Sequence, residues 1–175
     1  FISNNGSGLY FDYIDSIFVN QSTSNFNSNN GARSTTCHYM KVDSSIFVEN
    51  NWKGINTVGG NTVKINLCTM SENDEDGFRE TSTSDTVLFT NNMISDNGGF
   101  GFIGGSFNYK LIDGNTFYSN QTGYYGVGLH TMTDNQFTEN GPSGSVFIEA
   151  QGSGGHYIGG NNILFNFNSV NGYYS

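Results

Sequence analysis

One short pattern repeats along the whole sequence. The stretch Thr62–Gly77, TVKINLCTMSENDEDG, has apolar residues at alternate positions, then Met70 three residues before Asn73, and ends on a glycine. The same order returns in TVLFTNNMISDNGGFG from Thr86 and in YKLIDGNTFYSNQTGYYG from Tyr109. Repetition at a fixed period is typical of a solenoid, in which each repeat packs only on its neighbours.

The period is about 23 residues. An apolar residue stands three positions before an asparagine eight times, and the steps between successive pairs are 24, 21, 23, 24, 23, 20 and 26 residues by subtraction. A glycine that opens a strand recurs at Gly8, Gly31, Gly54 and Gly77, each 23 residues after the last. The agreement of separate markers makes chance repetition improbable.

The apolar runs within each repeat are too short to form helices. It contains about three short runs of Val, Ile, Phe, Tyr and Thr at period two, separated by Gly, Asn, Asp and Ser. Such runs indicate strands and turns, and three strands per repeat predict a parallel β-helix. We therefore expect one all-β domain over residues 1–175, with seven to eight coils.

Asparagine recurs at one phase of the repeat. Its side chain bonds to the backbone and tolerates the left-handed conformation, so it suits corners between strands. Stacked amides are expected to bond along the axis as a ladder, formed by Asn5, Asn29, Asn50, Asn73, Asn97, Asn120, Asn140 and Asn166. A shorter column, Asn92, Asn115, Asn135 and Asn161, is preceded in register by Ser24, Ser45 and Cys68.

The repeats NTFYSNQTGYYGVGL, from Asn115, and NQFTENGPSGSVFI, from Asn135, resemble those of the pectin-lyase-like superfamily. The resemblance covers essentially the whole chain and implies a right-handed β-helix. The superfamily includes polysaccharide lyases, glycoside hydrolases, epimerases, bacteriophage tailspikes and adhesins, so the resemblance specifies architecture more than activity. No capping helix is evident at either end, and we expect a segment of a longer rod or an assembly subunit.

Charge excludes some partners. The net charge is −9 with only six Lys and Arg residues, so no basic patch is available to bind nucleic acid. No apolar run reaches the roughly 18–20 residues that a membrane span requires. The two cysteines, Cys37 and Cys68, lie at different phases of the repeat, which argues against a disulfide.

Carboxylates form the densest polar candidates. Glu49, Glu72, Asp96 and Glu139 share one phase, two residues after the apolar marker. Adjacent members would lie about 5 Å apart, so they could hold Ca²⁺ or form an acid–base pair. Glu72, Asp74 and Asp76 form a second candidate calcium site. The alternative for both groups is a solvated outer edge that keeps the rod soluble.

Basic residues give two further candidates. Arg33 and Arg79 share an outward phase, and lyases of the resembled superfamily use a basic residue to remove a proton near calcium. The paired-aspartate, Gly-His-Gly and Arg-x-Lys motifs of the polygalacturonase branch do not occur here. Lys110, His130 and His156 share a phase that is apolar in earlier repeats. They indicate a solvent-facing corner or, alternatively, a polar pocket.

Aromatic residues occupy the loop between the asparagine and glycine columns. Trp52, Phe100, Tyr124 and Tyr125 could stack on sugar rings or contact a neighbouring chain, or could instead fold inward.

The sequence favours a structural or adhesive rod over an enzyme. We expect an extracellular or virion-surface protein, such as part of a tailspike, filament or adhesin, that contacts polysaccharide or a cell-surface glycan. Self-association as a homotrimer or a head-to-tail filament is expected, with no required cofactor and with Ca²⁺ as an option. The alternative is a lyase, glycoside hydrolase or epimerase that acts on an acidic glycan.

Overall fold

A computed structural model of the protein describes residues 1–82, 84–141, 146–150, 157–164 and 170–174. These residues form eighteen strands, all paired in parallel, and they contain no helix long and apolar enough to cross a membrane. The strands build two sheets, and each strand pairs with its counterpart in the next repeat. The fold is therefore the predicted parallel β-helix.

The larger sheet supplies two faces of the β-helix. Its strands are β1 (Leu9–Asp12), β2 (Ser16–Asn20), β4 (Ala32–Asp43), β6 (Ile55–Asn66), β8 (Phe78–Glu80), β9 (Ser84–Thr90), β11 (Phe100–Asp113), β13 (Thr122–Thr133), β15 (Val146–Ala150), β16 (Tyr157–Gly159) and β18 (Val170–Tyr174). We call the face at β1 and β8 the first face, and the face at β2 and β9 the second face. The long strands β4, β6, β11 and β13 run through both faces.

The smaller sheet is the third face. Its strands are β3 (Thr23–Asn25), β5 (Ile46–Val48), β7 (Thr69–Ser71), β10 (Met93–Ser95), β12 (Thr116–Tyr118), β14 (Gln136–Thr138) and β17 (Asn162–Leu164). Seven stacked strands are separated by six steps, so the described residues make about six turns, fewer than the seven to eight predicted. The first predicted marker, Ile2, makes a single bridge with Asn25.

Alternation along each strand fills the interior. In β2, Ile17 and Val19 point inward while Phe18 between them is exposed. Equivalent inward positions stack in columns, such as Phe47, Met70, Ile94, Phe117 and Phe137 on the third face. The rings of Phe117 and Phe137 lie parallel with centroids 4.7 Å apart. Burial of these columns supplies the main stabilising term, because the hydrophobic effect scales with apolar area removed from water.

Two corners turn through left-handed residues. One follows the second face at Gln21, Ser44, Leu67, Asn91, Gly114, Asp134 and Gly160, and the other follows the third face at Ser3, Phe26, Glu49, Glu72, Asp96, Ser119 and Glu139. Their φ angles lie between 45° and 68°. The residue after each one belongs to a ladder of side-chain hydrogen bonds. The corner and the ladder therefore form one repeating unit.

The main ladder runs along the corner after the third face. Each side-chain amide donates to the Oδ1 atom of the next, at 2.8–3.1 Å, through Asn4, Asn27, Asn50, Asn73, Asn97, Asn120 and Asn140. The prediction was correct from Asn50 to Asn140 and wrong for Asn5 and Asn29, and Asn166 lies outside the described residues.

The error at Asn29 has a physical cause. The prediction counted from Phe26 as an inward residue, but Phe26 is 50% exposed at the left-handed corner. Ser24 takes the buried position instead, opposite Phe47, and donates to the Gly31 carbonyl at 2.7 Å. The ladder residue three positions later is therefore Asn27. The same two-residue shift makes Ser22, not Ser24, the member of the second column, where its backbone N–H bonds Ser45 Oγ.

The second ladder follows the second face as predicted from Cys68 onward. The Cys68 amide donates to Asn92 Oδ1 at 2.9 Å, and the ladder continues through Asn115, Asn135 and Asn161. Cys68 and Cys37 are both buried free thiols.

Candidate functional site

One outward column crosses the first face from coil to coil. Its members are paired in register and are Tyr10, Arg33, Asn56, Arg79, Ile103 and Tyr125. Tyr10 is 58% exposed, and the two arginines are partly exposed. Each step along the column is about 4.8 Å, so Arg33 and Arg79, two steps apart, are separated by about 10 Å. The column presents aromatic and cationic groups in a line parallel to the helix axis, whereas Asn56 is buried and its Oδ1 accepts a hydrogen bond from Thr81 Oγ1 at 2.9 Å.

The predicted aromatic residues border the same face. Trp52 is 45% exposed, and the Nζ atom of Lys53 lies 5.1 Å from the centre of its ring. Phe100 and Tyr125 contact each other with ring centroids 5.9 Å apart. Since Tyr125 belongs to the outward column itself, the structure brings the arginine candidates and three of the four aromatic candidates to one side of the rod.

Tyr124 is the exception among the aromatic candidates. It is fully buried and stacks on Phe102 with ring centroids 4.8 Å apart, and it makes an edge contact with Phe117 at 6.4 Å. Alternation along β13 places Tyr124 inside and Tyr125 outside. Tyr124 therefore cannot stack on a sugar, and its assignment to an exposed binding surface is wrong.

Arg33 and Arg79 differ in their surroundings. The Nη1 atom of Arg79 lies 3.1 Å from Asp76 Oδ2, whereas Asp76 Oδ1 accepts a hydrogen bond from the Phe100 amide at 2.9 Å. Asp76 thus fixes both Arg79 and the start of β11. Arg33 lies over the ring of Tyr10 at 5.9 Å, and within the described part of the chain its Nε atom has no hydrogen-bond partner. Because this Nε atom is buried, any contact of Arg33 with a ligand would have to use the exposed part of its guanidinium.

The carboxylate column lies on a different edge. Glu49, Glu72, Asp96 and Glu139 occupy the left-handed corner after the third face, and all four are exposed. A hydrogen bond and the nearby charge of Glu139 raise the pKa of the Tyr118 hydroxyl, which lies on the adjacent outward column. The edge is separated from the first face by the main ladder and the loop that contains Trp52.

The predicted calcium ligands are not gathered into one site. Glu72 and Asp74 are exposed, whereas Asp76 is buried and bonded to Arg79 and Phe100. Across the described ranges, no group of three or more His, Cys, Asp or Glu residues is placed to hold a metal ion. The carboxylate edge therefore resembles the solvated surface that the sequence left as the alternative.

Inside the rod, an unexpected polar cluster joins the first and second faces. Glu80 and Lys110 are both buried, with Lys110 Nζ 3.8 Å from Glu80 Oε2, and Lys110 also donates to the carbonyls of Gly105 and Val127. His130 is buried beside them, with Nδ1 2.7 Å from the Gly128 carbonyl. The expectation of a solvent-facing corner is therefore wrong for Lys110 and His130, and His156 lies outside the described residues.

Two glycines make room for this cluster. A Cβ atom at Gly104 would lie 2.6 Å from Lys110 Cε, and one at Gly126 would lie 2.4 Å from the Tyr124 hydroxyl. Burial lowers the pKa of Lys110, although the charge of Glu80 opposes this, and burial raises the pKa of Tyr124. The change from Val87 to Lys110 in one column was visible in the sequence. The inward position of Glu80 could have been read from alternation after Phe78.

Comparison with known proteins agrees with the fold. A family model described as a right handed beta helix region matches residues 1–170. Neither a curated protein nor a solved structure matches the chain. The match is consistent with the resemblance to pectin-lyase-like repeats and covers the coils that carry the first face. The chain belongs to the right-handed beta helix family.

Proposed function

We propose that the chain is a structural or adhesive rod whose first face binds a polysaccharide lying along the helix axis. The observation that carries the proposal is the outward column from Tyr10 to Tyr125, bordered by Trp52. Aromatic rings provide flat apolar area for the C–H faces of sugars, and guanidinium groups bond hydroxyls or carboxylates.

Repetition favours an extended ligand over a small one. A column of side chains at intervals of about 4.8 Å offers successive contacts to a chain molecule, and many weak contacts in register give avidity. This arrangement fits a tailspike, filament or adhesin at a cell or virion surface, working as a homotrimer or a head-to-tail filament.

The test is binding of the whole chain to immobilised polysaccharides, both neutral and acidic. We expect at least one to bind, and we expect Trp52→Ala and Tyr10→Ala to weaken that binding by tenfold or more. Tyr118→Ala, which removes an exposed ring on the third face, is the matched control and should bind normally. Equal binding by all three variants would remove the first face from consideration. Light scattering and electron microscopy of the same sample report the oligomer.

A second candidate function is a polysaccharide lyase, glycoside hydrolase or epimerase that acts on an acidic glycan. It is favoured by one observation, the stacking of Glu72 and Asp96 in adjacent coils, where the Glu72 amide bonds the Ser95 carbonyl at 3.1 Å. Strand spacing allows the two carboxyls to approach about 5 Å, the separation used by retaining glycosidases. Reducing-end release and absorbance of unsaturated products from acidic polysaccharides, with and without Ca²⁺, test this candidate. Activity that survives Glu72→Gln and Asp96→Asn would place the reaction elsewhere.

A further inference from the structure

A cavity lies at the corner between the first and second faces, in the first coils of the rod. Its volume is about 210 Å³, and its lining residues are Tyr13, Ile14, Asp15, Thr36 and His38. These residues follow β1 and the first half of β4 along the chain. The cavity shares no residue with the outward column of the first face.

Two of its walls adopt a backbone conformation that their side chains disfavour. Tyr13 has φ 52° and Thr36 has φ 50°, both left-handed, and the aligned position in the next coil is Gly59 at φ 71°. Thr36 is β-branched and is therefore an outlier in this region, although the rod also uses left-handed residues at its other corners. Glycine occupies this corner in the next coil, at Gly59, whereas Tyr13 and Thr36 place side chains in the wall of the cavity.

The polar side of the cavity is a histidine–carboxylate pair. His38 Nδ1 lies 2.8 Å from Asp15 Oδ1, and Ser16 Oγ donates to Asp15 Oδ2 at 3.2 Å. The hydrogen bond from His38 and then that from Ser16 lower the pKa of Asp15, so its carboxylate is ionised near neutral pH. An ionised carboxylate has about four lone-pair positions, and these two bonds leave acceptor capacity on a side chain that is 82% exposed.

The hydrogen bond between His38 and Asp15 also determines which imidazole nitrogen of His38 can face a ligand. Because the carboxylate only accepts hydrogen bonds, His38 Nδ1 carries the proton of this bond. The bond to Asp15 orients the ring, and Nε2 is the second polar atom that the His38 side chain can offer to a ligand.

We propose that this cavity binds a single neutral sugar ring. Tyr13 and Ile14 offer apolar surface to its C–H face, as aromatic and aliphatic groups do in small-molecule sites. Asp15 accepts hydrogen bonds from its hydroxyls, while Thr36 and His38 fix its orientation. The volume lies below the roughly 300–1,000 Å³ of pockets for drug-sized ligands, so the site suits one ring.

The charge near the cavity favours a neutral sugar over an anionic sugar or a metal ion. The exposed carboxylate of Asp15 and the net charge of −9 disfavour an anionic sugar. A metal ion would find two candidate ligands here, Asp15 and His38, and the described ranges bring no third His, Cys, Asp or Glu to them. A neutral polyol uses both the acceptor and the apolar wall.

The experiment is an NMR titration of the whole chain with glucose, galactose, mannose and N-acetylglucosamine in turn, observing the His38 Hε1 and Tyr13 ring resonances. We expect at least one sugar to give saturable shifts, and Asp15→Asn to weaken its affinity by tenfold or more. Tyr13→Asn should weaken it similarly, since asparagine tolerates the left-handed conformation while removing the ring. Tyr118→Ala, on the third face, is the control and should bind like the unmodified chain.

Three results would overturn the proposal. The first is that none of the four sugars saturates these resonances. The second is that Asp15→Asn and Tyr13→Asn bind a sugar as tightly as the unmodified chain does. The third is tighter binding of glucuronic acid than of glucose.

Discussion

Replacement of Asn97 by alanine is the sharpest test of the ladder. Asn97 is buried, and its Oδ1 accepts the amide and side-chain N–H groups of Asn73 at 3.1 and 2.9 Å. Its Nδ2 donates to the Met70 carbonyl at 3.0 Å and to Asn120 Oδ1 at 2.8 Å. Alanine would therefore leave four buried partner groups without these hydrogen bonds, inside the rod where water cannot easily replace them.

The magnitude follows from the number of bonds. A hydrogen bond contributes about 0.5–1.5 kcal/mol net, so four bonds correspond to about 2–6 kcal/mol, with about 4 kcal/mol as the central value. A domain is stable by about 5–15 kcal/mol in total. The Asn97→Ala variant should therefore unfold at a much lower urea concentration than the unmodified chain, as measured by circular dichroism.

Two controls make the test specific. Asn61→Ala removes an exposed asparagine near the corner at Gly59 and should change the free energy of unfolding by no more than about 0.5 kcal/mol. Asn97 and Asn120 share a bond, so the double alanine variant should lose less than the sum of the single losses. A loss below about 1 kcal/mol for Asn97→Ala, or full additivity of the pair, would refute the ladder as a source of stability.

Three other predictions concern the interior and the corners. Burial raises the pKa of Cys68 to about 11 from 9.0. Because the unfolded thiol ionises first, about 3 kcal/mol of stability should be lost as pH rises from 9 to 11, and alkaline urea titrations should show a smaller loss in Cys68→Ala. Lys110→Met leaves Glu80 buried without its cation and should cost about 3–5 kcal/mol, whereas the double variant Lys110→Met, Glu80→Gln should recover part of this loss in thermal melts. Leu67→Asn should raise the free energy of unfolding by about 1 kcal/mol, because asparagine tolerates its φ of 53°, and the reverse change Asn91→Leu at the aligned corner should lower it.

The first face shows which features of the site the repeat pattern could predict. Phase alone placed Arg33 and Arg79 in one outward column with Asn56 between them, and the register confirms this arrangement. Phase did not reveal that Trp52 borders that column, because the loop between the third and first faces has no fixed direction in sequence. Its path depends on contacts such as Asp76 with Arg79 and with the Phe100 amide. The expectation that Phe100 and Tyr125 lie in this loop is wrong, since Phe100 begins β11 and Tyr125 lies in β13 as a member of the column.

The cavity at the corner had no signal in the sequence. Asp15 and His38 are 23 residues apart, which is one repeat, but Asn61 and Asp85 follow them at the same phase, so no column of one residue type drew attention to the pair. The buried pair of Glu80 and Lys110 did leave a signal in phase and alternation, but the pairing itself was not predicted, because charged residues are expected outside. Both arise where the large sheet bends between its first and second faces, and the bend is not encoded by alternation.

The sequence by itself determined the architecture, because a period of about 23 residues with alternating apolar positions can bury its inward side chains only by stacking coil on coil. It also determined most of the two ladders, since asparagine has to recur at the corner in order to bond its neighbours above and below. Tertiary structure decided the register of the first coils, where Ser24 rather than Phe26 fills the interior, and the burial of Tyr124, Lys110 and His130. These outcomes depend on space and hydrogen-bond partners supplied by other coils, such as the room left by Gly104 and Gly126, and no local pattern records them.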